Sequence, residues 1–488
     1  LCAASTLLAF VGAGERALGG LVNRRFLYLI LGGISAGCGG PTSGGPLSGG
    51  NAGPPGVGGP APSPTGLACA DIFKQDQVGD FAFDIAADEW SKLVAEFNDL
   101  TDLQAGLPFA AYHPIVFHAG AETVTDAAVK LHGQSSWLQT VMFDGDKAKM
   151  QFDVAFDQIN PMGSFHGVSK LVFDMPRSDW TFLHDRLAHT WLRQVGVLAS
   201  CTSSARLTIN GARYGLYVLE ESVGHRVVEE FFPSNGNGDL WKGGIDPETN
   251  TKMPDWARQK AFWAAGDLDA LGAIVDIKSS LTSWAAEALI NDSDGYYGGS
   301  HNFYLYDQGP SGFVFLPSDT DSTFDWLALF DLPAFDDHPI FFWQTRAAPA
   351  PLPGPQWVTV MNDPGWRKKY ADAIAALLAK WSVADIQGYL ATWSAQIAAD
   401  VAADPHAWAK PSDFSKAVST AHDVIAERAQ YLQTFVDCEN GHGEDRDGDG
   451  ARWCDDCRDD DATIHVGAPE LCNGVDDNCN GTVDEGCP

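Results

Sequence analysis

Asn291-Asp-Ser-Asp294-Gly-Tyr296 and Pro317-Ser-Asp319-Thr-Asp321-Ser-Thr-Phe324 are polar stretches set in apolar surroundings. Between them run His301-Asn-Phe-Tyr-Leu-Tyr306 and Gly312-Phe-Val-Phe-Leu316, which read as a pair of strands. A hairpin returns its outer ends to one place, so Asp294, Asp319 and Asp321 are expected close together. Clustered carboxylates suit Mg2+ or Mn2+, which take oxygen ligands and are commonly held by one or two acids plus substrate phosphates. Read from composition alone, the same residues also fit solvated loop acids.

Upstream of this segment the pattern is rich in strands. Period-two alternation predicts strands over 81–85, 115–118, 129–133, 150–156 and 170–174, then a hairpin over 206–211 and 214–219 at an Asn-Gly signal, with a loop longer than the minimal one. Helices are expected over 87–97 and 180–195, the latter with Leu183, Leu187, Trp191 and Val195 on one face. From 256 onward helices dominate, at 256–265, 268–276, 279–290, 366–378, 383–402 and 414–435. The expected class is α+β, with a strand-rich N-terminal lobe, a helix-rich C-terminal lobe and a cleft between them where a ligand would sit.

The whole chain has 488 residues, 45% of them hydrophobic, enough apolar material for a large core. Its 64 acids against 31 Lys and Arg give a net charge of −33, which repels phosphate backbones and anionic lipid surfaces. Nucleic acid is therefore excluded as a partner. Arg24-Arg25 precedes a short apolar run at 26–34 and then Ser35-Ala-Gly-Cys38, the layout of a signal peptide. Its end resembles a bacterial lipobox, in which Cys38 is lipidated. Residues 39–68 are a Gly/Pro/Ser-rich linker that buries too little to order. The expected organisation is 1–38 upstream segment and lipoprotein-type signal, 39–68 linker, 69–436 main domain and 437–488 tail, in a protein held at the outer membrane or cell surface, or secreted. Any contact with a membrane is then through the lipid anchor alone.

The segments quoted first resemble the CotH family of spore-coat and secreted proteins, which have an atypical protein-kinase fold. Asp294-Gly-Tyr296, Asn302-Phe-Tyr-Leu-Tyr306 and Leu316-Pro-Ser-Asp-Thr-Asp321-Ser-Thr-Phe324 look like its D-x-Y, N-Y-Y-L-Y and I-P-W-D-x-D-x-T-F motifs. In family order upstream come 129–136, 149–157, 179–186, 209–221 and Asp239-Leu-Trp-Lys242. His132 and Ser318 stand where the family has Arg and Trp. The resemblance implies a bilobal kinase that binds ATP with Mg2+ or Mn2+. Asp294 would be the catalytic Asp that orients or deprotonates the acceptor hydroxyl, and Asn302, Asp319 and Asp321 would hold the metal. Lys149, in a register shared with Lys147, would contact the phosphates, with Glu221 fixing it or a metal, and Lys242 would belong to the same nucleotide site. Glu221 and Lys242 also fit a structural ion pair.

The tail carries 16 acids against three arginines, and Cys438, Cys454, Cys457, Cys472, Cys479 and Cys487. So many cysteines predict a disulfide framework, less readily a zinc site. Asp445, Asp447 and Asp449 alternate ahead of Gly450, and Asp456 falls at the twelfth position of an EF-hand-like calcium loop. A second cluster, 473–485, is a further candidate for an ion. The tail resembles the Cys- and Asp-rich metal-binding repeats of secreted myxobacterial proteins and thrombospondin type 3 calcium repeats, so Ca2+ is its expected ion. The reading that results is an exported kinase acting on Ser/Thr of surface or secreted proteins. The alternative is a catalytically inactive CotH-fold lipoprotein serving adhesion or envelope assembly.

Overall fold

Phenylalanines at alternate strand positions explain the first half of the structure, a computed structural model that describes residues 69–101, 110–177, 179–324, 339, 354–407, 410–480 and 482–487. The signal and linker expectations, Cys38 included, lie outside the described residues. Seven strands, β1 (Gly79–Asp84), β2 (His113–Ala119), β3 (Glu122–Leu131), β4 (Phe152–Ala155), β5 (Lys170–Asp174), β6 (Thr202–Ile209) and β7 (Ala212–Glu221), close into a barrel ordered β1-β2-β3-β4-β5-β7-β6. Closure comes from β1 pairing parallel with β6, with Phe81 opposite Leu207. The inward faces bury Phe83 against Phe117, Phe152 and Phe173, with ring centroids 6.1, 5.6 and 5.2 Å apart. A disulfide between Cys69 and Cys201 ties the entering chain to the start of β6. The β6–β7 hairpin is tighter than the sequence suggests. Ile209 pairs with Ala212, so only Asn210 and Gly211 turn, both at positive φ (50° and 78°) as a type I′ turn requires.

Helices α1 (Ala87–Asn98) and α2 (Ser135–Phe143) flank the barrel, where Phe97 stacks on Trp137. Helix α3 (His184–Val195) interrupts the barrel in sequence but buries Leu187, Trp191 and Leu192 in a second core. It starts at His184 rather than 180 because the buried Asp179 carboxylate takes the backbone N–H of Leu183 (2.7 Å) and His184 (2.8 Å), capping the first turn.

Helix α4 (His225–Phe231) buries Val227 and Val228 with Leu240, Tyr304 and Leu316 in a smaller cluster, while the second core is built by α5 (Trp256–Ala264), α6 (Leu268–Ile274), α7 (Ile277–Ile290), α8 (Tyr296–Gly299), α9 (Pro355–Met361), α10 (Pro364–Leu378), α11 (Val383–Ala402) and α12 (Pro411–Asp437) around a four-stranded sheet. The sheet comprises β8 (Leu240–Lys242), β9 (Asp246–Pro247), β10 (Phe303–Asp307) and β11 (Phe313–Pro317), in the order β11-β10-β8-β9. The molecule is α+β. Among the described residues, no helix is long and apolar enough to cross a membrane.

Candidate active site

Strand alternation makes one wall of the site. Lys130, Asp153, Val172 and Glu220 are cross-strand partners in one row over β3, β4, β5 and β7, while their neighbours Val129, Phe152, Leu171 and Leu219 fill the barrel. This row therefore faces outward, and Asp174 lies two residues along β5 on the same side. The other wall is the second sheet, where Lys242 of β8 pairs with Tyr304 of β10. Lys242 and Glu248 reach solvent, yet burial perturbs both, as expected for side chains lining a cleft. Burial acts to lower the Lys242 ammonium, but Tyr304, Asp319, Glu248 and Asp153 outweigh it and hold it above its usual range.

The hairpin performs as its sequence suggests. Phe303 pairs with Pro317, and the Ser318 N–H donates to the Asn302 carbonyl at 3.0 Å, so the flanking acids converge. Asn302 Nδ2 bridges them, donating to Asp294 Oδ2 (3.0 Å) and to the Asp319 carbonyl (3.4 Å). Asn291, Ser300, Asn302, Asp319 and Phe324 all sit at φ between +42° and +54°, and such left-handed residues gather where a site overrides backbone preference. Helix α3 clamps the second loop. Asp185 Oδ1 accepts the Thr320 N–H and hydroxyl, both at 2.9 Å, and His184 Nδ1–H donates to the Asp321 carbonyl at 3.0 Å.

The result is a set of five neighbouring carboxylates. Burial and then Asp319 push Asp185 up to about 8. Burial, then Asp319, Asp185 and Asp174, hold Asp321 well above the carboxylate range. Asp174 and Glu220 are raised well above it in the same way, by burial and then by neighbouring acids. Acids that suppress one another's ionisation fit a cation, which would let all of them charge. Asp185 Oδ2 is buried and has no hydrogen-bond partner.

Asp294, Asn302, Asp319, Asp321 and Lys242 thus belong to one neighbourhood, whereas Lys149 and Glu221 are engaged elsewhere. Lys149 is wholly buried, its Nζ donating to Asp404 Oδ2 (2.7 Å) and to the Leu216 carbonyl (2.5 Å). This pair ties the barrel to the segment after α11. The alternative Lys147 is exposed and reaches the Ala407 carbonyl at 3.5 Å. Glu221 points to the opposite side of β7 from Glu220 and pairs with Arg226 through both carboxylate oxygens. His132 pairs with Asp153 at 2.8 Å. Sequence reading passed over Asp174, Asp185 and Glu220. Each stands in an ordinary amphipathic element, and only the packing of α3 and the parity of β5 and β7 bring them together.

In the tail the six cysteines pair as Cys438–Cys454, Cys457–Cys479 and Cys472–Cys487. Carboxylate oxygens of Asp447, Asp449 and Asp456 lie within 4.8 Å of one another, and those of Asp445, Asp447 and Asp459 form an overlapping group. Asp456 is 2% exposed, and its Oδ2 lacks a hydrogen-bond partner, as do Oδ2 of Asp447 and Asp449, while Asp459 Oδ2 lies 3.4 Å from Arg446 Nε. Burial first, then Asp449, Asp447 and Asp459, raise Asp456 to about 6. Asp459 was absent from the sequence-derived ligand set because it lies beyond the twelve-residue loop. In the second cluster Asp484 accepts the Asn473 and Gly474 N–H groups at 2.9 Å and Glu485 Oε1 accepts the Asn478 amide at 2.6 Å, while Glu485 Oε2 has no hydrogen-bond partner.

No curated protein matches the chain. Among family models, one described as "Putative metal-binding motif" (Cu-binding MopE) matches residues 456–485. A second, described as "CotH kinase protein", matches residues 129–264 and 265–432. These two stretches span more than half of the sequence and contain every acid, lysine and asparagine placed in this site, so the chain belongs to the CotH kinase protein family.

Proposed function

We propose that the chain is an exported, metal-dependent protein kinase that passes the γ-phosphate of ATP to Ser or Thr hydroxyls of surface or secreted proteins. The barrel and the helical core would be its two lobes. The observation that carries this reading is the set of mutually repelling carboxylates opposite Lys242, with Asp294 held at its edge by Asn302. Phosphoryl transfer asks for positioning and charge neutralisation more than for covalent help. Lys242 supplies fixed positive charge for phosphate oxygens. Asp319, Asp321 and Asn302, with Asp174 behind them, would hold Mg2+ or Mn2+, which neutralises phosphate charge when bound. The Asp294 side chain is 40% exposed, so an acceptor hydroxyl can reach it. As the hydroxyl oxygen bonds to the γ-phosphorus and the bond to the ADP oxygen breaks, Asp294 takes the hydroxyl proton.

Export is supported by the disulfides, which persist in oxidising compartments, and by the signal-like sequence ending at Cys38. The orphaned oxygens of Asp447, Asp449 and Asp456, beside Asp445, support Ca2+ in the tail. The test is incorporation of label from γ-labelled ATP with Mg2+ or Mn2+, in wild type beside Asp294→Ala and Asp321→Ala. Label that both substitutions abolish supports the kinase. No label, with no metal-dependent ATP binding by calorimetry, favours an inactive scaffold for adhesion or envelope assembly.

A further inference from the structure

Asp185 and His189 lie one turn apart on α3 and share a face. Asp185, His189 and Glu220 each offer a ligand atom within 4.8 Å of the others. Both helix residues are buried, at 1% and 5% exposure, and Asp185 Oδ2 and His189 Nδ1 have no hydrogen-bond partner. A buried polar atom without a partner carries a desolvation cost that proteins seldom leave uncompensated.

The histidine is set up as a ligand. The ring lies beside the Ser200 backbone, and its Nδ1 has no hydrogen-bond partner. One ring nitrogen of His189 lies in the same cluster as the Asp185 and Glu220 carboxylates. Arg193 does not compete for the acids, since it is committed to Glu230 (2.5 Å) and to the Ala199 carbonyl (2.7 Å).

We propose that Asp185, His189 and Glu220 form a binding site for a first-row transition-metal dication such as Mn2+, distinct from the all-oxygen position beside Asp319 and Asp321. One imidazole with two carboxylates favours such ions over Mg2+ and Ca2+, which prefer oxygen. The inference stands on these three side chains and holds whether or not the cleft transfers phosphate. The site also has a consequence for its neighbour. Asp185 Oδ1 holds Thr320, between Asp319 and Asp321, so an ion on Oδ2 would fix the loop that carries both.

The experiment uses the full chain with disulfides intact, stripped by chelator and loaded with one equivalent of Mn2+ in excess Ca2+ and Mg2+. Pulsed EPR should show 14N coupling to Mn2+. His189→Gln should abolish the coupling and weaken Mn2+ binding at least about tenfold, while Asp449→Asn in the tail and Asp321→Ala leave the coupling in place. Should His189→Gln fail to fold, Glu220→Gln carries the test, with the same loss of affinity expected. Bound Mn2+ without 14N coupling, coupling that survives His189→Gln, or unchanged affinity in a folded variant would overturn the proposal. Asp185 and Glu220 would then share a proton instead. Label incorporation from ATP is read separately, so failure of this site and failure of the kinase reading are told apart.

Discussion

Lys242 and Lys149 carry the same charge in opposite environments, and this decides which can serve a phosphate. Lys242 reaches solvent among Asp319, Glu248 and Asp153, whereas Lys149 is sealed against Asp404. Replacing Lys242 by Ala should weaken ATP binding at least tenfold by calorimetry, yet change stability by no more than about 1 kcal/mol. Lys149→Met should do the reverse. It strands a buried Asp404, a change expected to cost about 3–5 kcal/mol in chemical denaturation, with nucleotide affinity retained in the folded fraction. The sequence shows both lysines but not which is enclosed, because enclosure depends on Asp404, 255 residues away. Glu220 and Glu221 pose the same problem at one residue's spacing. Alternation says that one faces the barrel core and the other does not, and only the pairing of Val172 with Glu220 fixes which.

At the scale of elements, α7 leads into the loop that carries Asp294 and holds a buried acid of its own. The helix ends at Asn291 in the left-handed region, and Glu287 and Asp292 are both buried beside Gly295, where an added Cβ would sit 3.0 Å from Asp292 Oδ2. Burial raises Glu287 to about 8, and burial with Glu287 and Asp294 raises Asp292 well above its usual range. An acid whose folded-state pKa is raised favours the folded state while it is protonated. Its contribution is therefore complete below about 4.5, its unfolded value, and lost as pH climbs to about 8. Thermal melts of the protein should fall across that window, and Glu287→Gln, which cannot ionise, should flatten the fall. A slope unchanged by the substitution would place the titration elsewhere. Helix α3 offers a second check. Asp179→Ala removes the buried cap of α3 and should cost about 2 kcal/mol, with weaker metal binding in the cleft because Asp185 rides on the first turn. Helix and strand identities were legible from periodicity, but the start of α3 and the two-residue turn at Asn210-Gly211 were set by local hydrogen bonds and φ values that periodicity does not encode.

At the scale of the molecule, the tail is fastened to the helical core. Cys438, Cys454 and Cys457 belong to the same apolar core as α7, α10 and α12, and Trp453 lies edge-on to Tyr431 and Phe435 at 5.4 and 6.3 Å. Arg367 of α10 pairs with Asp455 and lies 3.5 Å from Glu439. The composition announced disulfides and acidic loops, but neither the cysteine pairing nor this docking was readable, since both join residues by packing alone. Barrel closure was hidden for the same reason, as β1 meets β6 across more than a hundred residues. With so few apolar side chains of its own, the tail is held by its cross-links and its packing on the helical core, and a bound ion would add to both. Ca2+ at a hundred times its dissociation constant should add about 2.7 kcal/mol to the tail's stability. By calorimetry the gain should be largest near pH 7.5 and shrink as pH falls through about 6, where Asp456 takes up the proton that a cation must displace. Asp456→Asn should remove most of the gain and expose the 438–455 segment to proteolysis in the presence of Ca2+. Equal protection of wild type and variant would mean that the three disulfides and the Arg367 contacts hold the tail without an ion.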